Sequence, residues 1–340
     1  MIKKTKIIKI YSLIIKIAII ILAFGFIYRR LIVKENIDEM IQLLTQNLYQ
    51  RPFLKPLGGV LILMLLNWSL ETIKWKFLIR KIEHVSFFKS LVAVLSGITV
   101  SIFTPNRIGE YAGRVFVLEQ ASRWEGVLIT MLGSMSQLIV TIIAGSVGFV
   151  FFAEKYILVD ENPVYYFFGL ILIISLLIIV LLLIFFNISF LTNVINKLPG
   201  KLKKISRYGR IFSFYKKLEL IYVLGLSFSR YIVFVTQFYI LLKLFNVPIP
   251  YNEAFLLITM LYLVMAAIPT IALTELGIRG SVSLYFIGLY FTSLGLICSY
   301  DMGIITATTV LWVINLVIPA VTGAIFVFRL KFFRKNDIAS

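Results

Sequence analysis

Long apolar runs separated by short charged segments make up most of the chain. A helix needs about 20 predominantly apolar residues to cross the hydrocarbon core of a bilayer. The pattern therefore predicts six membrane spans, at residues 10–27, 54–72, 126–152, 164–188, 218–244 and 303–328. The run at 10–27 follows a basic N-terminus in the manner of a secretory leader, but no small-x-small cleavage site follows it. We interpret it as a retained anchor.

Two further apolar segments, 87–119 and 254–297, are each too long for one simple span and are interrupted in the middle. Each contains a proline, then a Glu-x-x-x-Arg motif with a glycine inside it. Proline removes a backbone donor and glycine permits non-helical geometry. We expect helix breaks at Pro105, Gly109, Gly113, Pro269, Gly277 and Gly280. Backbone groups freed at membrane depth must face protein or a water-filled cavity, so each segment is predicted to be a re-entrant hairpin.

The order of these segments predicts the fold class, an all-α polytopic membrane protein with six full spans and two re-entrant broken-helix hairpins. Residues 1–152 contain span, span, hairpin and span, and residues 153–340 repeat that order from the opposite side of the membrane. The two parts are therefore predicted to be inverted repeats. Interrupted helices at matching places in two such halves point to a binding site at the repeat interface, near the membrane midplane.

The distribution of basic residues predicts the orientation. The chain carries 34 Lys and Arg against 16 Asp and Glu, a net charge of +18. Basic residues cluster before the first span, in 74–89, in 197–217 and after the last span, and such loops lie in the cytoplasm. Both termini are therefore predicted to be cytoplasmic, in a cell (inner) membrane. Because successive loops alternate between the two sides of the membrane, the basic segment 29–55 is placed on the external side. It is predicted to be an amphipathic helix at that interface.

Composition excludes several classes of function. The chain is 60% hydrophobic and 15% charged, too apolar for an ordinary soluble domain. It has one cysteine, Cys298, and one histidine, His84, so it offers neither an intramolecular disulfide nor a His/Cys cluster. We therefore expect no metal and no cofactor. The basic surplus fits anionic lipid at the cytoplasmic face, and no nucleic acid is predicted to bind.

Charged residues inside the apolar segments form the candidate substrate-binding set. A charge at membrane depth is costly and normally faces a cavity or a partner. The set consists of Arg107, Glu110, Arg114, Arg230, Glu275 and Arg279. Glu110 and Arg114, like Glu275 and Arg279, are four residues apart and can share a helix face.

Two interpretations of these charges remain open. Either the Glu–Arg pairs only hold the hairpins together, or the arginines form a cradle for phosphate. Arginine presents paired donors suited to phosphate, and a helix starting near 106–109 would add its positive end. The carboxylates would then orient the arginines or take up a proton during transport. No catalytic residue is predicted, because no Ser/His or metal-ligand set accompanies the carboxylates.

Other polar residues within the apolar runs receive structural interpretations. Asn67 and Glu71 stand near the end of the second predicted span and are expected at the membrane interface. Gln137 and Asn315 are expected to form hydrogen bonds between helices. Arg230 lies mid-span and could face either the same cavity as the other arginines or another helix.

The two motifs also carry a resemblance to a known family. The segment Pro105-Asn-Arg-Ile-Gly-Glu110, followed by Arg114, and the later Leu-Gly-Ile-Arg-Gly at 276–280 resemble the transmembrane flippase-like domain of lysylphosphatidylglycerol synthases. The resemblance covers nearly the whole chain in span order. It implies a lipid-translocating module, which in the full synthase precedes a soluble aminoacyl-transferase domain. No such domain follows the last span here, so we expect a protein that is not an enzyme.

This sequence departs from the family pattern at two places. The spacing from Glu110 to Arg114 is one residue longer than is usual, and Gly280 stands where an acidic residue is expected after Arg279. These departures leave the headgroup open. The sequence thus predicts a lipid flippase or lipid-linked intermediate transporter for an anionic-phosphate lipid, whose partner is a membrane phospholipid or lipid-linked substrate. The alternatives are a non-catalytic subunit assisting a cell-envelope enzyme, a small-solute transporter and an intramembrane transferase.

Overall fold

The computed structural model describes residues 14, 17, 21, 51–102, 104, 107–157, 163–187, 210–268, 272–296 and 300–327. Across these residues the regular structure is entirely helical. Most of the predicted first span and of the segment 29–55 lies outside the described residues, as do Pro105, Pro269 and Cys298.

Ten α-helices follow one another along the described part of the chain. They are α1 (Arg51–Ile79), α2 (Phe87–Ser101), α3 (Gly109–Val115), α4 (Arg123–Tyr156), α5 (Pro163–Phe186), α6 (Lys217–Leu244), α7 (Tyr251–Ala267), α8 (Ala272–Ser293), α9 (Asp301–Trp312) and α10 (Ile318–Val327). A 3₁₀ turn at Arg210–Phe214 precedes α6, and a π-helical turn at Val313–Val317 joins α9 to α10.

Five helical segments of the described chain are long and apolar enough to cross a membrane. They are Leu54–Ile79, Arg123–Tyr156, Tyr165–Phe186, Lys217–Leu244 and Asp301–Val327. Each coincides with a predicted span, and the chain is a multi-pass membrane protein. The second predicted span was too short, because its helix continues past residue 72 to Ile79. The added turns bury Trp75, Leu78 and Ile79 in the core, which favours helix over loop there.

Both interrupted segments consist of two helices joined by a short break. In the first, α2 ends at Ser101 and α3 begins at Gly109. The Thr104 hydroxyl accepts a hydrogen bond from the Gly109 amide at 2.9 Å, and Arg107 adopts a φ of 55°, in the left-handed region. In the second, α7 ends at Ala267 and α8 begins at Ala272. Whether the segments re-enter on the same side of the membrane stays a prediction.

Three of the predicted breaks are wrong. Gly113 lies inside α3, and Gly277 and Gly280 lie inside α8. A glycine in a helix interior costs only about 1 kcal/mol relative to alanine, which packing easily offsets. Gly113 has a packing role, because a Cβ there would lie 2.6 Å from the Cα of Gly97 in α2. The two helices of the first segment therefore touch backbone to backbone.

Helices α1 and α6 pack against each other and form the central pair of the bundle. Helix α2 packs against α10, and α7 packs against α4, so each broken segment lies against the last span of the other half. Within each broken segment the two helices also pack against each other, α2 against α3 and α7 against α8. Two structurally related halves would produce this reciprocal packing. The inverted repeat itself stays a prediction. Both broken segments thus flank the α1–α6 pair.

Candidate functional site

A cavity of about 330 Å³ lies among α1, α6 and the two broken segments. Its lining includes Trp68, Glu71, Lys74, Ser101, Arg107, Glu110, Ser134, Gln137, Thr141, Arg230, Phe234, Glu275, Arg279, Trp312 and Asn315. Five of the six predicted site residues line it. The sixth, Arg114, is buried beside the cavity and is held there by two carboxylates.

Glu275 joins the two broken segments. Its carboxylate accepts hydrogen bonds from Arg107 Nη2 at 2.8 and 2.9 Å and from Arg279 Nη2 at 2.8 Å. The Glu275 side chain is 6% exposed, whereas that of Arg107 is 41% exposed, so Arg107 lies at the cavity mouth. The contact with Arg279 is the i,i+4 pair expected from spacing, and the contact with Arg107 bridges segments 168 residues apart.

Glu71 is a central residue of the site that the sequence-based site set did not include. It accepts a hydrogen bond from Arg114 Nη1 at 2.7 Å, lies 2.9 Å from Lys74 Nζ and pairs with Arg230. Glu71 was expected at the membrane interface near the end of its span, but α1 continues two more turns past it and Glu71 is buried within the bundle. Asn67, also expected at the interface, is fully buried.

Lys74 is the other residue that was misplaced, since it was counted among the basic residues of a cytoplasmic loop. It is 1% exposed, and its Nζ donates to Ser227 Oγ at 3.3 Å in addition to its contact with Glu71. The signal in the sequence was the spacing. Asn67, Glu71 and Lys74 stand at i, i+4 and i+7, which is one face of a helix.

A chain of side-chain amides holds Arg230. Its Nε donates to Asn67 Oδ1 at 2.9 Å, and Asn67 Nδ2 donates to Asn315 Oδ1 at 3.4 Å. Asn315 Nδ2 in turn donates to Gln237 Oε1 at 3.2 Å. Asn315 belongs to the π-helical turn, and such turns often occur at functional sites. The hydrogen bonds between helices that were predicted for Asn315 are therefore present.

Gln137 also makes the kind of contact predicted for it. Its Nε2 donates to the backbone oxygen of Ser227 at 3.2 Å, which ties α4 to α6. Its Oε1 lies 3.5 Å from Arg230 Nη1. Gln137 thus connects the packing of two spans to the charged cluster.

The charged cluster is unbalanced. Its basic members are Lys74, Arg107, Arg114, Arg230 and Arg279, and its acidic members are Glu71, Glu110 and Glu275. The surplus is two positive charges. Three donors of lining residues, Trp68 Nε1, Trp312 Nε1 and Arg279 Nε, are also buried without an acceptor among the described residues. Such a site is suited to an anion that is rich in acceptor atoms.

The described residues contain no group of three or more His, Cys, Asp or Glu side chains that could hold a metal ion. The carboxylates of Glu71 and Glu275 already contact two or more cations each. Their geometry is that of counter-ions that keep arginines in place.

Neither a curated protein nor a solved structure matches the chain. A family model does match, over residues 13–290 of the 340. The matched range includes α1 to α7, most of α8 and every charged residue of the cluster. Its description is the transmembrane region of lysylphosphatidylglycerol synthase, and the chain belongs to this family.

Proposed function

We propose that the protein is a lipid flippase or lipid-linked intermediate transporter that acts on an anionic-phosphate lipid. The observation that carries this proposal is the cationic cavity, bounded by membrane-spanning helices and by both broken segments. Charges at membrane depth are costly and mark substrate pathways more often than packing contacts. Family membership supports a role in lipid handling.

The carboxylates prepare the cavity for its ligand. Glu275 fixes Arg107 and Arg279, and Glu71 fixes Arg230, so these guanidinium groups are oriented before the lipid arrives. Preorganised donors lose little conformational freedom on binding, which favours affinity. Arginine also offers paired donors that match phosphate oxygens, which lysine does not.

The two motif arginines differ in exposure, which suits alternating access. Arg279 lines the cavity, whereas Arg114 is covered and bound to Glu71 and Glu110. We propose that the two exchange these roles as the site opens to the other leaflet. Each arginine would then hold the headgroup in one of the two states.

The test is translocation of anionic phospholipids that carry the fluorophore on an acyl chain, in proteoliposomes. Arg279→Gln and Arg114→Gln should each slow translocation by tenfold or more, because each removes charge-assisted hydrogen bonds worth roughly 1.5 to 3 kcal/mol. The lysine versions should restore little. Arg80→Gln is the matched control, since Arg80 is 45% exposed and pairs with Glu219 away from the cavity.

Two results would contradict the proposal. If folded glutamine variants at Arg114 and Arg279 move lipid as fast as wild type, these charges only hold the broken segments together. If the wild-type protein moves no lipid across a broad panel of anionic headgroups, the transport role itself is wrong. A non-catalytic subunit of a cell-envelope enzyme would then be the better hypothesis.

A further inference from the structure

The two surplus charges of the cluster can be located. Arg114 contacts both Glu110 and Glu71, so Glu110 can be assigned to it as a counter-ion. Glu71 then remains for two cations, Arg230 and Lys74. One positive charge is therefore left over on the wall formed by α1 and α6.

The second surplus charge lies on the other wall. Arg107 and Arg279 share the single carboxylate of Glu275, so among the described residues only one of the two can be assigned a carboxylate of its own within salt-bridge distance. These side chains come from the two broken segments, and both line the cavity together with Arg230 and Lys74. The cavity thus has one uncompensated positive charge on each side.

Three unpaired donors belong to residues that line the cavity. Arg279 Nε and the indole nitrogens of Trp68 and Trp312 are buried without an acceptor among the described residues. All three residues line the cavity. A buried donor without an acceptor is costly, so a ligand whose binding brings oxygens within reach of these donors is favoured.

We infer that the headgroup recognised by this cavity carries two negative charges on a terminal phosphate or diphosphate, an inference that rests on the proposed function. A dianion compensates both surplus charges, whereas a phosphodiester leaves one buried and uncompensated. A zwitterionic headgroup leaves both surplus charges uncompensated. A terminal phosphate also presents three acceptor oxygens. The substrate class is therefore a lipid phosphomonoester or a lipid-linked diphosphate.

The first experiment compares lipids that share acyl chains but differ in headgroup charge. Phosphatidic acid, phosphatidylglycerol and phosphatidylethanolamine are titrated into the full chain in nanodiscs of neutral lipid, with binding followed by native mass spectrometry. At about pH 7.5, where a phosphomonoester is mainly a dianion, phosphatidic acid should bind about tenfold or more tightly than phosphatidylglycerol. Inorganic phosphate is added as a competitor.

Acidification separates the ligand's charge from the protein's. The second proton of a phosphomonoester binds near pH 6, so the affinity for phosphatidic acid should fall towards that for phosphatidylglycerol at about pH 5. Phosphatidylglycerol carries one charge at both pH values, and its binding should change little. A parallel loss for both lipids would assign the pH effect to the eight charged side chains of the cluster and overturn the inference. If inorganic phosphate displaces phosphatidic acid at equal concentration, the cavity recognises free phosphate and the inference that its ligand is a lipid is wrong.

Charge variants complete the test. Arg107→Gln at the exposed mouth removes one surplus charge and should reduce the preference for phosphatidic acid to less than threefold while phosphatidylglycerol still binds. Arg230→Gln should do the same on the opposite wall, and Arg80→Gln should leave the preference intact. If wild type binds both lipids equally and Arg279→Gln loses both, the dianion is wrong but the proposed function stands. If no phosphate lipid binds, both the inference of a dianion and the proposed function are wrong.

Discussion

Glu275 in α8 accepts two hydrogen bonds from Arg107, at 2.8 and 2.9 Å, and this pair joins the two broken segments. Arg107 has left-handed backbone geometry, which is uncommon for a residue other than glycine. Its side chain reaches from the cavity mouth to a carboxylate that is otherwise bound to Arg279. The pair therefore couples the position of one broken segment to that of the other.

A double-mutant cycle should detect this coupling. Arg107→Gln and Glu275→Gln are each expected to lower the thermal stability of the protein. Together they should cost less than the sum of the two, with a coupling free energy of about 1 to 3 kcal/mol, because the pair is removed only once. Unfolding of the purified protein in detergent measures it. Strictly additive losses would mean that the two segments are not coupled through this contact.

The close crossing of α2 and α3 predicts a site-specific effect of alanine. A Cβ at Gly113 would lie 2.6 Å from Gly97 Cα, so Gly113→Ala forces two backbones apart and should destabilise by about 1 to 3 kcal/mol. Gly58 in α1 is the matched control, since nothing lies within 4 Å of a Cβ there. Gly58→Ala should be neutral or stabilising. Equal melting temperatures of the two variants would contradict the close crossing.

The parts of the site that sequence predicted are the local ones. The pairs Glu110–Arg114 and Glu275–Arg279 follow from i,i+4 spacing on one helix, and they are present. The pairing of Arg107 with Glu275 could not be derived, because it depends on how two distant segments pack. Glu71 was misplaced for a related reason: the depth of a residue depends on where its helix ends, and tertiary burial decides that.

The predictions of spans and of helix breaks also differ in this way: local requirements could be read from the sequence, whereas the effects of packing could not. Five spans could be read from apolar length because membrane crossing is a local requirement on each helix. The breaks at Gly277 and Gly280 were wrong because glycine permits a break without requiring one. The positions of Glu71 and Lys74 inside the bundle were also hidden, although they leave the surplus of the predicted set, four arginines against two glutamates, unchanged.

Glu83 predicts a pH-dependent contribution to stability outside the membrane. It follows α1, and its carboxylate accepts hydrogen bonds from the backbone amides of residues 119–121 at 2.8 to 3.1 Å. Burial raises the pKa of Glu83, but these hydrogen bonds and the charge of Lys89 outweigh burial and hold the pKa below its usual value. The folded-state pKa thus lies below the unfolded one. The stabilisation is present above the unfolded pKa, about 4.3, and is lost as pH falls through the folded pKa.

Glu83→Gln should therefore lower stability at neutral pH, by about 1 kcal/mol for a carboxylate at the protein surface. The difference between variant and wild type should shrink as pH falls below the unfolded pKa of about 4.3 and through the lower folded-state pKa, because the wild-type carboxyl then becomes neutral as well. Thermal unfolding between neutral and acidic pH measures it. Glu154→Gln, at an exposed position of α4, is the control and should change the free energy of unfolding at neutral pH by less than about 0.5 kcal/mol. A constant difference at all pH values would mean that the charge of Glu83 plays no part.

The distribution of basic residues predicts the sidedness of two described connections. The loop after α1, which contains His84, is expected in the cytoplasm, and the connection before α7 is expected outside. Single cysteines at His84 and at Asn252, an exposed residue in the first turn of α7 next to that connection, should react with a membrane-impermeant maleimide from opposite sides in a Cys298→Ser background. Labelling of both positions from outside intact cells would contradict the predicted orientation.

The amide chain that ends at Arg230 predicts a positioning role for Asn67. Asn67 Oδ1 accepts from Arg230 Nε, and Asn315 of the π-helical turn accepts from Asn67 Nδ2. With Nε held by Asn67 and Nη1 paired with Glu71, the orientation of the guanidinium plane is fixed. Asn67 itself does not line the cavity. It can therefore affect lipid only through its partners, and of the partners that line the cavity, Arg230 and Asn315, only Arg230 is charged.

Asn67→Leu should weaken binding of an anionic lipid about three- to tenfold in the wild-type background, because Arg230 loses its fixed orientation and a hydrogen bond worth about 1 kcal/mol. In an Arg230→Gln background the same substitution should change lipid affinity less than twofold, since nothing remains for Asn67 to orient. Affinity is measured by lipid titration in nanodiscs. Thr308→Val is the matched control, because the buried Thr308 hydroxyl donates to the Ile304 oxygen of its own helix, outside the cavity lining. Equal losses from Asn67→Leu in both backgrounds would show that Asn67 supports the fold rather than the orientation of Arg230.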